Sequence, residues 1–216
     1  MSATTARGLL LVIAATLILR APGWRDRFYS NDEATYSALA ARVLSGGVMY
    51  ADAVDHKPPG IVYMYAAVQR IAGAYALQAV RLVVTALVAV TAVALSALAV
   101  NLTGDADAGI AGLLYVLLSV TGFAPNTQAA NTELVLNCPL AVAALLVVGC
   151  RRQDDPARAC LLAAVAGVCT AAATLFKYQG GIALLVWAPA LVWHRGRRVG
   201  IAGVAGLACG FAIPLA

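Results

Sequence analysis

The sequence predicts an all-α, polytopic integral membrane protein of about seven transmembrane helices, with juxtamembrane helices in its first external loop. Three observations predict it. Of 216 residues, 62% are hydrophobic and only 12% are charged, whereas an average soluble domain is about 25% charged. The apolar residues gather into runs of bilayer-crossing length, which takes about 20 residues. The cations stand mainly in short gaps between those runs, so the net charge of +5 reports topology and not nucleic acid. A soluble globular enzyme and a disordered chain are both excluded. Residues 1–216 read as a single transmembrane module.

The first run follows Arg7, extends from Gly8 to Leu19 and ends at Arg20. No A-x-A-like cleavage site follows, so 8–22 is expected to be an uncleaved span, with Arg20 snorkelling at its end. Residues 23–59 are the only long polar segment and hold five of the ten acidic residues. Long loops in compact proteins usually carry function. Within this one, Ser30-Asn31-Asp32-Glu33 is a capping box. Tyr36, Leu39, Ala40 and Val43 then form one apolar stripe, and Gly46-Gly47 ends the helix. Such a helix is expected to lie in the membrane interface. Pro58-Pro59 opens an apolar piece from Gly60 to about Gly73, which is too short to span. Longer runs follow at 77–101, 108–124, 133–150, 159–176, 178–194 and 199–216.

With 60–73 not spanning, the segments 151–158 and 194–198 share the side of the N-terminus. Each carries three arginines: Arg151, Arg152 and Arg158 in one, Arg195, Arg197 and Arg198 in the other. The positive-inside rule makes that side cytoplasmic. The 23–59 loop, the 125–133 loop and Lys177-Tyr178-Gln179 then collect on the outer face.

That face holds the candidate chemistry. Asp32 and Glu33 suit the first turn of a helix, or a carboxylate that takes a proton from an acceptor hydroxyl. His56 is a solvated imidazole or a metal ligand. Lys57, fixed ahead of two prolines, is an interfacial cation or a partner for phosphate. Asn126, Gln128, Asn131 and Glu133 form a loop whose amides suit sugar hydroxyls. Lys177 and Tyr178 also fit an interface belt. Cys138, Cys150, Cys160, Cys169 and Cys209 lie inside apolar runs, without C-x-x-C spacing, and read as small buried hydrophobes. The sequon at Asn101 falls on the cytoplasmic side and is assigned no role.

Asp32-Glu33-Ala34-Thr35-Tyr36, then Gly46-Gly47-Val48-Met49-Tyr50-Ala51-Asp52, then Asp55-His56-Lys57-Pro58-Pro59 resembles the opening of the GT-C glycosyltransferases. More narrowly, it resembles the branch with dolichyl-phosphate-mannose protein mannosyltransferases and the bacterial aminoarabinose and polyprenyl-sugar transferases. Glu133 falls where that family often has a second outer-loop acid. Lys177-Tyr178-Gln179 is similar to its later "T-K-x-x-G" stretch, although Leu175-Phe176 stands where Thr is common. The family usually runs to twice this length or more, so a C-terminal part is expected to be missing.

The resemblance implies transfer of a sugar from a polyprenyl-phosphate donor to a lipid, glycan or protein acceptor, with inversion, at the outer face of the plasma membrane. Asp32 would be the base and Lys57 would steady the leaving phosphate. Glu133, with Glu33, would place the acceptor or balance charge. Tyr36, Asn131, Lys177 and Gln179 are the further substrate-contact candidates, and His56 would help hold a divalent metal. Asp32, His56, Lys57 and Glu133 are expected to converge on one outward cavity, with Glu33 a capping residue that tolerates Gln. The alternative is a polyprenyl-lipid-binding carrier or transporter without catalysis.

Overall fold

A computed structural model describes residues 3–24, 30–122, 127–193 and 196–215. Asn126, His194 and Arg195 lie outside the described residues. The regular structure among the described residues is helical, apart from one isolated bridge between Met49 and Ala53.

The helices are α1 (Ala3–Arg20), α2 (Asn31–Leu44), α3 (Gly60–Ala72), α4 (Leu77–Thr103), α5 (Ala111–Val120), α6 (Thr132–Cys150), α7 (Pro156–Phe176), α8 (Leu184–Val192) and α9 (Arg197–Ala212). Short 3₁₀ turns precede α5 and α8 and extend α1 and α9. Four pieces are long and apolar enough to cross a bilayer: α4, α6, α7, and α9 with its extension to Leu215. The α5 and α8 pieces are apolar but shorter. Helix α3 has 13 residues.

The starts and stops follow from local chemistry. Ser30 holds extended backbone, and its hydroxyl accepts the Glu33 N–H, as the capping box requires. After α2, Gly46 takes a φ of +93°, a left-handed conformation that suits a residue without Cβ. Asp155 caps α7 by accepting the Ala157 N–H, with Pro156 in the first turn.

Helices α6 and α7 form an antiparallel hairpin, and α9 packs along α7. Gly206 and Gly210 of α9 lie against the carbonyls of Cys160 and Ala164, with no room for a side chain between the backbones. Small residues permit this approach between helices in lipid, where apolar burial gives little drive. A second core joins α2, α3, α4 and α6 around Tyr36, Ile61, Tyr65, Val84 and Val135.

The stripe of α2 packs on protein: Tyr36 and Ala40 are buried, with Leu39 and Val43 packed against the same cluster. One expectation changes here. Arg20 is buried and donates from Nη1 to the Thr127 carbonyl at 3.2 Å, so it turns into the bundle and does not snorkel. An internal carbonyl serves the guanidinium where lipid offers no acceptor.

Candidate active site

The ends of α1, α4, α6 and α7 that meet α2 and α3 form one end of the bundle, and the candidate residues gather there. Lys57 is the hub. Its Nζ donates to Asp32 Oδ2 at 2.8 Å and to Tyr36 Oη at 2.5 Å, and stands 4.8 Å from the Tyr36 ring centre. The Tyr36 hydroxyl in turn donates to Asp32 Oδ2 at 3.3 Å. Asp32 and Tyr36 are four residues apart and so share one face of α2.

The segment before α3 is built to present Lys57. Tyr50 adopts a φ of +71° and donates its hydroxyl to the Lys57 carbonyl at 2.9 Å. The Asp55 carboxylate accepts the backbone N–H groups of His56 and Lys57. Asp52 accepts the Val48 N–H at 2.9 Å and faces Arg42, which closes the turn. Gly60 then sits under the Leu175 carbonyl, where a Cβ would lie only 2.5 Å from that oxygen. This contact brings the start of α3 beside the end of α7.

Charge follows geometry. The Lys57 hydrogen bond outweighs partial burial and holds the Asp32 carboxyl below the ordinary carboxylate range. Burial opposes the Lys57 charge, but the hydrogen bonds to Asp32 and Tyr36 win and hold the ammonium above its ordinary value. Burial pushes the Tyr36 phenol up. A carboxylate tied to a cation in this way is a weak base. It becomes a stronger one when another anion draws the cation away.

Glu33 departs from its expected role. It is wholly buried, and its carboxylate does not turn back to cap α2. It accepts Arg81 Nε at 3.0 Å and Nη2 at 2.7 Å, and also the Ala130 N–H at 2.7 Å. Arg81, itself 1% exposed, further donates from Nη1 to the Gly23 carbonyl. A planar fork matches a carboxylate bidentately and brings more donors than a backbone N–H, so the guanidinium wins the contest. Sequence reasoning missed Arg81. Its signal was an ionisable residue inside a 27-residue apolar helix, which needs a partner.

Glu133, exposed in the first turn of α6, pairs with Lys177, which caps the C-terminus of α7. This second ion pair is tied to the first by shared supports. Ala130, three residues before Glu133, donates to Glu33 and accepts the Tyr65 hydroxyl at 2.9 Å, while Tyr65 meets Tyr36 edge to face. Asn131 occupies the N-cap of α6 with extended backbone. Gln179 is exposed in the 3₁₀ turn after Lys177.

The imidazole of His56 is 84% exposed, with Nδ1 3.0 Å from Asp55. Among the described residues, no three His, Cys, Asp or Glu side chains are grouped to hold a metal ion.

The signature of the dolichyl-phosphate-mannose-protein mannosyltransferases matches residues 56–215. It begins at His56, so it takes in Lys57, Glu133 and Lys177 and leaves Asp32 to the segment before it. No curated protein and no solved structure matches the chain. A match over that length, on a helical chain with four helices of bilayer-crossing length, makes the protein a member of the dolichyl-phosphate-mannose-protein mannosyltransferase family.

Proposed function

We propose that the chain transfers a sugar from a polyprenyl-phosphate donor to an acceptor hydroxyl by a single inverting displacement. Membership of the family implies a membrane glycosyltransferase with such a donor. The observation that carries the finer reading is the position of Lys57, bonded at once to Asp32 and Tyr36.

Without donor, Lys57 is held by Asp32. The donor phosphate competes for the same ammonium as a point charge. Once Lys57 turns to the phosphate, Asp32 loses the partner that lowers its proton affinity. It then accepts the proton of the acceptor hydroxyl as the oxygen forms its bond to the anomeric carbon. The bond from that carbon to the phosphate oxygen breaks, and polyprenyl phosphate leaves with its new charge against Lys57. The proton rests on Asp32, the sugar on the acceptor. One positioned carboxylate serves inversion, whereas retention needs a second as nucleophile. Tyr36 positions both groups. The Glu133–Lys177 pair, on the same end, is assigned to the acceptor side.

The proposed topology counts α1, α4, α5, α6, α7, α8 and α9 as seven spans, the shorter ones completed by their 3₁₀ turns. It sets the ion-pair end outside the cytoplasm, at the plasma membrane. The arginines at 151, 152 and 158 support this orientation through their place at the opposite end.

The test is Asp32→Asn, which keeps shape and hydrogen bonding but cannot take the proton. General-base loss costs about 10²–10⁴-fold. Turnover from a polyprenyl-phosphate sugar is expected to fall by that much while donor binding survives. Transfer at the undiminished rate would refute the role of Asp32. Retained donor binding by a parent that transfers no sugar would favour a carrier.

A further inference from the structure

At the end of the bundle remote from the ion pairs, the turn between α6 and α7 meets the ends of α4 and α8 around a cavity of about 710 Å³. Arg151, Arg152, Asp154, Asn101 and Trp193 are among its walls. Arg152 is fixed in place: Nη1 donates to Asn101 Oδ1 at 2.6 Å, and Nη2 to the Asn101 carbonyl. A guanidinium carries five N–H donors, so this anchoring leaves others for a ligand. Arg151 is exposed, and its guanidinium makes no ion pair or hydrogen bond among the described residues. Among the described lining residues, two cations stand against one carboxylate, that of Asp154, so this wall is net positive.

Trp193 also walls a second, shallow recess of about 570 Å³, shared with Ala188, Pro189 and Val192 and almost wholly apolar. Trp193 itself is 83% exposed. A cationic pocket and an apolar recess thus meet at one indole, where the helices end. Indoles favour the membrane–water boundary. Basic pockets between transmembrane helices bind lipid head groups.

We propose that this is a binding site for an anionic phospholipid of the bilayer, its phosphodiester on Arg151 and Arg152 and an acyl chain along Trp193, Val192 and Pro189. The net positive wall complements a phosphodiester. A choline group would add a cation to a pocket already positive, so a zwitterionic lipid fits less well. A free anion would leave the apolar recess unused.

Quenching of Trp193 by brominated phosphatidylglycerol tests this on the full chain in detergent micelles, with Trp193→Phe supplying the baseline from Trp24 and Trp187. Saturable quenching is expected, with phosphatidylcholine of the same chains a poor competitor. R151Q/R152Q is expected to need roughly tenfold more phosphatidylglycerol or beyond, from loss of charge-assisted hydrogen bonds. Asp154→Asn, which removes the opposing charge without touching the arginines, is expected to tighten binding several-fold. Equal competition by phosphatidylcholine would overturn the proposal, as would R151Q/R152Q or D154N behaving like the parent. So would release of the lipid by inorganic phosphate at matched concentration, which would mark a free-anion site. Displacement by undecaprenyl phosphate at lower concentration would assign the pocket to the carrier lipid and overturn it too.

Discussion

Glu33→Gln is the most informative single change in this molecule. The native carboxylate is wholly buried and accepts hydrogen bonds from two nitrogens of Arg81 and from the Ala130 N–H. In the variant, one acceptor oxygen becomes an NH₂ that faces a guanidinium, donor against donor. Arg81, at 1% exposure, keeps its charge but loses the bidentate carboxylate. Breaking a buried pair from one side costs about 3–5 kcal/mol. Arg81→Met should cost a similar amount, because it takes the bidentate cation away from a buried carboxylate. The double variant Glu33→Gln/Arg81→Met removes both charges and should lose clearly less than the two single losses combined. A double-mutant cycle on unfolding in mixed micelles measures that coupling, expected at about 2–3 kcal/mol for neighbours of this kind. A loss below about 1 kcal/mol for Glu33→Gln, or strict additivity, would refute the buried bidentate bridge and restore a simple cap.

Lys57→Ala is expected to weaken donor-lipid binding as well as turnover, through loss of a charged phosphate contact, measured by donor titration. The pH response of the Asp32–Lys57 pair has a definite sign. Asp32 is held low, so its contribution to stability is present above the ordinary value of about 3.9 and is lost as pH falls through the lowered native value. Lys57 is held high, so its contribution is present below about 10.4 and is lost as pH rises through the raised native value. The stability difference between the parent and Lys57→Met should therefore be flat from about pH 4 to pH 10, and no more than about 1 kcal/mol for so open a pair. A step near neutrality in unfolding midpoints would refute the pairing. Gly60→Ala puts a Cβ 2.5 Å from the Leu175 carbonyl oxygen, so α3 must shift off α7, at about 1–3 kcal/mol in unfolding. A cysteine placed at Asp154, in a background without the native thiols, should react with an impermeant reagent only after the membrane is opened.

The helices were legible where chemistry is local. Ser30 and the glycines at 46–47 bound α2, and the apolar runs of α4, α6 and α7 are visible as strings. The Asp32–Lys57 contact was legible through motif resemblance, because both residues sit in the same loop region, 25 apart. The partner of Glu33 was not, since Arg81 lies 48 residues on inside an apolar run. A capping box predicts a local partner for its acid, and nothing local reveals that a guanidinium will outbid the backbone. Arg20 misled for a related reason: a cation at a span end reads as snorkelling until the Thr127 carbonyl is seen to receive it. The work of Asp55 and Tyr50 in holding the Lys57 backbone depends on loop conformation, and loops carry no periodicity to read.

The Glu33–Arg81 bridge also bears on how the chain enters its membrane. Synthesis runs from the N-terminus, so Glu33 has emerged 48 residues before Arg81 is made. An arginine in an apolar segment opposes partition into lipid. Here its counter-charge is already waiting on α2, and the pair can form as α4 is handed from the insertion machinery to the bilayer. The seat of α4 in the bundle is thus coupled to α2, through a carboxylate that precedes Arg81 in the order of synthesis.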